Sequence, residues 1–306
     1  MADSERIKVE VDGRELSLSN LHKVLYPEDG FTKGEVIDYY RRVAPALLPA
    51  IKDRPATRKR YPNGVDAAFF FEKNAPSHTP DWVRTVTLPS PGSSRNRDEV
   101  TYIVVDDLPM LVWCANLAVL ELHVPQWRVG PRGGVHAPDL LVLDLDPGPG
   151  TDIVECCEVG LWLREALEDD GLEPVAKTSG SKGMQLYAPV AAADVGRTSA
   201  YAKALAERLE QEHPELVVSR MTKSLREGKV LVDWSQNNPA KTTVAPYSLR
   251  ARPHPTVSTP VTWDEVVACR RATDLRFVAR DVLDRLDRLG DLFEPTRTKR
   301  PAGLPQ

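Results

Sequence analysis

At 306 residues, with 42% hydrophobic and 27% charged residues, the chain can bury a sizeable core as one large or two modest domains. No apolar run is long enough for a bilayer span, and the polar start Met1-Ala2-Asp3-Ser4-Glu5-Arg6 lacks the apolar region of a secretory signal, so a cytoplasmic protein with no membrane partner is expected. The net charge of −4 argues on average against nucleic acid, and Cys114, Cys156, Cys157 and Cys269 lack zinc-type spacing, so reduced thiols and no zinc site are expected.

Residues 8–18 alternate around Asp12-Gly13, which predicts a hairpin. Lys23 and Lys33 flank Leu25-Tyr26-Pro27, and Thr32 with Glu35 has the capping-box spacing that starts a helix running to about Leu48. Lys52, Arg54, Arg58, Lys59 and Arg60 then form a basic cluster that the mean charge conceals. Such a cluster suits a phosphate-binding groove, although a charge run taken alone is as often a solvated face. Phe69-Phe70-Phe71 reads first as core. A strand is predicted over 101–105, a buried helix over 108–119, and a strand over 121–124 that carries His123 and leads into Pro125.

The run Leu140-Leu141-Val142-Leu143-Asp144-Leu145-Asp146 stops at Pro147-Gly148. Strand side chains alternate faces, so Asp144 and Asp146 share one face while Leu143 and Leu145 point into a core. Two adjacent carboxylates repel unless one is protonated or a cation lies between them. Taken alone, the pair is more often the start of a turn. A second strand with the same ending, Lys229-Val230-Leu231-Val232-Asp233-Trp234, delivers one more carboxylate. If the two strands are neighbours, Asp144, Asp146 and Asp233 suffice for two divalent ions roughly 3.5 to 4 Å apart, as nucleotidyl transfer uses.

Between these strands lies Lys177-Thr178-Ser179-Gly180-Ser181-Lys182-Gly183, followed by a strand over 184–189. Glycines let backbone amides approach an anion and lysine adds a point charge, but the spacing is not that of a P-loop and the segment leads into a strand. Helical periodicity covers 151–169, which includes Cys156 and Cys157, and 197–212. Strands and helices mix throughout, which implies an α+β or mixed α/β fold. The proline-rich, basic end from Glu294 to Gln306 reads as a tail or the start of a linker.

Taken together these motifs resemble the archaeo-eukaryotic primase superfamily, in particular the polymerase domain of bacterial ligase D and its stand-alone relatives. The resemblance is carried by Lys23-Val24-Leu25-Tyr26-Pro27, by Arg54 to Arg60, by Phe70-Phe71-Glu72-Lys73 and by Glu121-Leu122-His123-Val124-Pro125-Gln126-Trp127. It continues through Asp144-Leu145-Asp146-Pro147-Gly148, Thr178 to Gly183, Met221 to Arg226, Val232 to Asn237 and Ala245 to Arg250. It runs from about Leu18 to about Phe293. One position departs: where the similar proteins have histidine after Ser-Gly-x-x-Gly-x, this chain has Gln185, which donates a hydrogen bond but carries no charge.

The resemblance implies a primase-polymerase fold with a central mixed or antiparallel sheet flanked by helices and two interlocked subdomains, spanning 1–294 with 295–306 as tail. It implies template-directed addition of NTP or dNTP to a primer 3′-hydroxyl at gapped duplex or broken DNA ends in non-homologous end joining, with a preference for ribonucleotides. Asp144, Asp146 and Asp233 are then catalytic ligands of Mg²⁺ or Mn²⁺, and His123, Ser179, Lys182, Gln236, Lys241 and Arg250 contact the nucleotide. Lys23 and Lys33 take a DNA 5′-phosphate, and Phe70 and Phe71 stack on the template, one of the two being buried. Ku and a DNA ligase are the expected partners, near the nucleoid, because no Lys-x-Asp-Gly ligase signature is present. Three other readings stay open: a metal-dependent phosphodiesterase, a non-catalytic DNA-end binding module, and a priming or replicative polymerase.

Overall fold

The computed structural model describes residues 6–89, 98–191 and 194–305. The predicted hairpin forms as Arg6–Val11 against Arg14–Ser19, closed by Asp12 and Gly13 at φ 45° and 74°. Both turn residues are left-handed, as a two-residue turn between right-twisted strands requires. Thr32 and Glu35 exchange the two capping hydrogen bonds that start the helix Lys33–Ile51. The helix passes Leu48 and stops before Asp53, whose φ of 63° leaves the helical region. The helix expected over 108–119 ends sooner, as Leu108–Asn116, because Ala118 turns left-handed (φ 57°) and Val119 opens the strand Val119–Val124. An unbroken apolar run hides such a switch from periodicity.

Two sheets carry the body. The first has the order Thr243–Val244, Val119–Val124, Pro55–Arg60, Glu99–Val104, Thr85–Pro89, with Phe70–Glu72 also pairing Pro55–Arg60. The second has the order Val217–Val218, Val230–Asp233, Leu140–Pro147, Met184–Ala191, Val175–Thr178, Pro260–Val261. The first sheet is wholly antiparallel and the second mixed, with Val217–Val218 parallel to Val230–Asp233, so the protein is α+β.

The acidic strand Leu140–Pro147 faces two cores. Leu140 and Val142 join the core built on Lys33–Ile51, Leu108–Asn116 and the first sheet, whereas Leu141, Leu143 and Leu145 join the core under the helices Ile153–Asp169 and Val195–Glu212. Its neighbour Met184–Ala191 does the same, with Tyr187 in the first core and Met184, Leu186 and Ala188 in the second. Period two therefore places Asp144 and Asp146 on the face that begins as the floor of the first core and runs out of it into a cleft.

Residues 294–305, expected as a tail or linker start, lie against this body: Thr296 is buried, Leu304 packs on the second core, and Ala302–Gly303 pair with Val190 and Ala191. All four cysteines are free and buried, Cys156 and Cys157 within the helix Ile153–Asp169. Among the described residues no helix is long and apolar enough to cross a membrane.

Candidate active site

Asp144 stands directly opposite Asp233 in antiparallel register, and Asp146 follows two residues on, opposite Leu231. Each of the three carboxylates offers an oxygen within 4.8 Å of the others, so the expected cluster forms. Loss of water, with Asp146 and then Asp233 alongside, pushes Asp144 up to about 7, against a hydrogen bond from Gln185 and the charge of Lys177. Asp146 is raised as well, by loss of water and by Asp233, with Arg226 opposing. Crowded carboxylates held this way form a hard, oxygen-only donor set suited to divalent cations.

Asp233 is fixed by its own turn. Its Oδ1 accepts from the Ser235 amide (2.9 Å) and hydroxyl (2.5 Å), and its Oδ2 accepts from Gln236 Nε2 (2.9 Å). Lys241 Nζ bonds Ser235 Oγ and lies 4.0 Å from Asp233 Oδ2, which joins the two predicted residues Gln236 and Lys241 to the cluster.

The loop between the strands comes against the acidic strand because Gly183 allows it, as Gly148 allows the Arg226 segment to do at the strand's end. A β-carbon on Gly183 would overlap the Leu145 carbonyl oxygen, and one on Gly148 would overlap that of Arg226. Ser179 closes the loop: its hydroxyl accepts from the amides of Ser181 and Gly183, and its carbonyl accepts from the Arg250 guanidinium. Lys182 stays exposed at the tip. Asp144, Asp146, Ser179, Lys182, Gln185, Gln236, Arg250 and His123 thus line one cavity of about 460 Å³, with Arg226 and Arg252 on its rim. A cavity with carboxylates on one wall and lysine and arginine on another suits a metal-bridged polyphosphate.

Gln185 does not take the place of a cation in the loop. It stands opposite Asp144 in register, and its Oε1 accepts from Lys177 Nζ at 2.5 Å. Lys177 itself is wholly buried, with Ser258 Oγ (2.6 Å) as its other partner, so of the two lysines in this segment only Lys182 is free to meet an anion.

His123 reaches the cavity from the first sheet, its Nε2 bonded to Glu121 Oε2 at 2.9 Å. Burial lowers its pKa against the pull of Glu121, so the ring is neutral near neutral pH. Phe70 and Phe71 both stand exposed, at 41% and 53%, which corrects the expectation that one is buried. They sit on a strand that pairs the basic strand Pro55–Arg60, with Lys59 over the rings of Phe69 and Phe71 and Arg60 over Phe70. Cations beneath exposed rings build a platform that a phenylalanine core would not need.

Lys23 and Lys33 lie apart from the cavity, beside the small ribbon Val24–Tyr26 and Phe31–Thr32. Lys33 is buried, donates to the Ser19 carbonyl (2.5 Å), and is held down to about 8 by burial and by the Lys23 charge. Lys23 bonds only the neutral Asn63 amide oxygen at 2.8 Å. Sequence reasoning gave no role to Glu121, Arg226 or Arg252, and placed Lys59 only within a basic cluster. The motifs holding Glu121, Lys59 and Arg226 were visible, but their convergence is a product of the fold.

The family model of the LigD primase-polymerase domain matches residues 32–293. The multifunctional non-homologous end joining protein LigD of Mycolicibacterium smegmatis is 47% identical over 287 residues, covering 93% of this chain and 36% of that protein. The bifunctional non-homologous end joining protein LigD of Bacillus subtilis is 32% identical over 280 residues, covering 91% of this chain and 43% of that protein. The chain therefore spans well under half the length of these relatives. Among solved structures, the polymerase domain of Mycobacterium tuberculosis ligase D in complex with DNA superposes with a TM-score of 0.86 at 45% identity, covering 94% of this chain and 99% of that one.

Proposed function

The chain belongs to the LigD primase-polymerase domain family, and from that premise we propose that it adds nucleotides to a primer 3′-hydroxyl, directed by a template, at gaps and broken ends of DNA during non-homologous end joining. The observation that carries this reading is that Asp144 and Asp146, clustered with Asp233, share the walls of one cavity with Lys182, Arg250 and Ser179, Ser181 and Gly183 of the loop. A phosphodiesterase would use the carboxylates but has no need of a separate cationic wall for a triphosphate.

In this reading the three carboxylates hold two divalent ions, Mg²⁺ or Mn²⁺. Bound there, such ions lower the pKa of the 3′-hydroxyl and neutralise charge on the phosphates and the leaving pyrophosphate. The protein's own groups position. Lys182 and Arg250 grip the phosphates, while Ser179 closes the loop that carries Lys182 and holds Arg250 through its carbonyl. Gln236 and Lys241 steady Asp233 and complete the nucleotide wall, and His123 meets the sugar or phosphate. Phe70 and Phe71 stack on template bases without reading sequence. Lys23 and Lys33, two close cations with no carboxylate partner among the described residues, take the 5′-phosphate across the gap. Ribonucleotides are the preferred substrates, and sealing falls to a ligase, with Ku at the DNA end.

Primer extension on a gapped duplex, with and without a downstream 5′-phosphate, comparing rNTPs with dNTPs and Mg²⁺ with Mn²⁺, tests the proposal. Strand cleavage without incorporation of labelled nucleotide would replace it with the phosphodiesterase reading. DNA binding with neither reaction would leave an end-binding module.

A further inference from the structure

Glu121 has the most connected carboxylate near the cavity, yet it touches neither the acidic cluster nor open solvent, being 2% exposed. Its Oε1 accepts from the Ala251 amide (3.0 Å) and lies 3.4 Å from Lys59 Nζ. Its Oε2 accepts from His123 Nε2 (2.9 Å) and lies 3.4 Å from Arg250 Nε. Burial would favour the neutral acid, but the His123 hydrogen bond and the Arg250 and Lys59 charges outweigh it and hold the group ionised.

These partners belong to two places. His123 and Arg250 line the cavity with Asp144, whereas Lys59 does not and instead sits among the rings of Phe69, Tyr61 and Phe71. An ionised carboxylate only accepts, so His123 must present Nε2–H to Glu121, which fixes its tautomer and ring direction. The Ala251 amide pins the same carboxylate to the backbone next to Arg250. One buried anion therefore sets the rotamers of a platform cation and two cavity groups. Without it the Lys59 and Arg250 charges would stand uncompensated beside each other and His123 would lose its acceptor.

We propose that Glu121 is a positioning residue that ties the aromatic platform under the template to the nucleotide cavity, holding Lys59 on one side and His123 and Arg250 on the other. The inference rests on the functional reading above, in that the cavity takes a nucleotide and the platform a template base.

The test measures nucleotide affinity at saturating gapped DNA, both as the KM for extension and as the Kd of a fluorescent nucleotide analogue with Mn²⁺. Glu121→Gln keeps the volume and one acceptor oxygen, but it carries no charge and its NH2 end cannot accept, so either Ala251 and Lys59 or His123 and Arg250 lose their acceptor. It should raise KM and Kd about tenfold or more, the scale of a lost charge-assisted contact, while kcat falls far less. Lys59→Met, which leaves the buried carboxylate in place and guards against a folding defect in the first variant, should also raise nucleotide Kd although Lys59 does not line the cavity. Combined with Arg250→Lys, the Lys59→Met effect should be non-additive in the wild type and additive once Glu121 is Gln. Unchanged nucleotide Kd in Lys59→Met and Glu121→Gln, or full additivity in the wild type, overturns the link. A wild type that binds nucleotide but never extends a primer overturns the polymerase reading instead, and the Kd comparison still decides the link.

Discussion

Asp144 and Asp233 face each other across an antiparallel strand pair, in direct register, with Asp146 one pleat further on. Directly opposed side chains come within about 5.5 Å at Cβ, so the fold itself forces the carboxylates together whether or not a cation is present. This arrangement costs stability in the metal-free protein and repays it only when positive charge arrives. Asp144→Asn and Asp233→Asn should each lower extension by roughly 100-fold or more, the scale of several kcal/mol of lost charge stabilisation, while binding of DNA ends persists. Near-normal extension with two of the three removed would end the two-metal assignment.

The raised pKa of Asp144, set first by burial and then by the carboxylates beside it, has a sign in pH. A carboxyl raised from 3.8 to about 7 in the folded protein binds protons more tightly folded than unfolded. Its favourable contribution is therefore complete below about pH 4 and lost as pH rises towards 7. In chelator, Asp144→Asn should melt at a higher temperature than wild type at pH 8, with the gap closing as pH falls. Addition of Mn²⁺ should raise the wild-type melting temperature and leave the variant nearly unmoved. A variant that melts lower than wild type in chelator at pH 8 would show that Asp144 is not under repulsion.

Asp144, Asp146 and Asp233 were legible in the sequence because each ends an apolar run with period two, and a polar residue stopping such a run marks where a strand leaves its core. That their strands are neighbours was not legible, since pairing is a long-range event. The convergence of Lys59 and the Arg250–Ala251 segment on Glu121 escaped for the same reason, since Lys59 lies 62 and Ala251 130 residues away, whereas His123 is its neighbour two residues along the same strand. Phe70 and Phe71 mislead a composition argument, because an edge strand carrying a platform and a core strand use the same residue types. Lys177 and Lys182 sit in one motif and look equivalent. Only the register of Lys177 with Gln185 sends one inward and leaves the other in solvent.

Gln185 offers a test of how the buried Lys177 is tolerated. Its Nζ has Gln185 Oε1 and Ser258 Oγ as hydrogen-bond acceptors, and burial lowers its pKa well below the ordinary lysine range. Gln185→Leu should cost about 1–3 kcal/mol in urea unfolding, the penalty for stranding a buried donor. A neutral imidazole, with one accepting and one donating nitrogen, can take over both jobs, so Gln185→His should be near neutral in stability and in nucleotide KM. A large loss in Gln185→His would show that the amide geometry itself is needed.

Gly183 sets the distance between the phosphate loop and the acidic strand, since a side chain there would strike the Leu145 carbonyl. Gly183→Ala should destabilise by about 1–3 kcal/mol through overpacking and raise nucleotide KM more than DNA Kd. Gly134→Ala, where a β-carbon meets open space, serves as the control and should do neither. Equal nucleotide KM in the two variants would detach the loop from nucleotide binding.

The pair Lys23 and Lys33 separates end repair from generic polymerisation. Two cations close enough for one to depress the other, without a carboxylate between them, are arranged for an anion that arrives from outside. Wild type should therefore bind a gapped duplex better when its downstream end carries a 5′-phosphate. Lys23→Ala with Lys33→Ala should abolish that preference and leave nucleotide KM on a saturated template unchanged. Each well-formed charge-assisted contact contributes about 1.5–3 kcal/mol, so the preference should reach at least about tenfold at low salt and shrink as salt rises. It should also carry the titration of Lys33, which is held down to about 8 in the free protein. The phosphate needs the charged ammonium, so the preference should be full near pH 7 and weaken above pH 8. Lys23→Ala alone, by removing the depressing charge, should move that decline to higher pH while weakening the preference itself. Fluorescence anisotropy with phosphorylated and unphosphorylated gaps from pH 6.5 to about 9.5 measures all of this, a window chosen to bracket the lowered lysine and approach its ordinary value near 10.4. Equal affinity for the two DNAs at low salt and pH 7 would leave a metal-dependent polymerase with no built-in grip on a broken end.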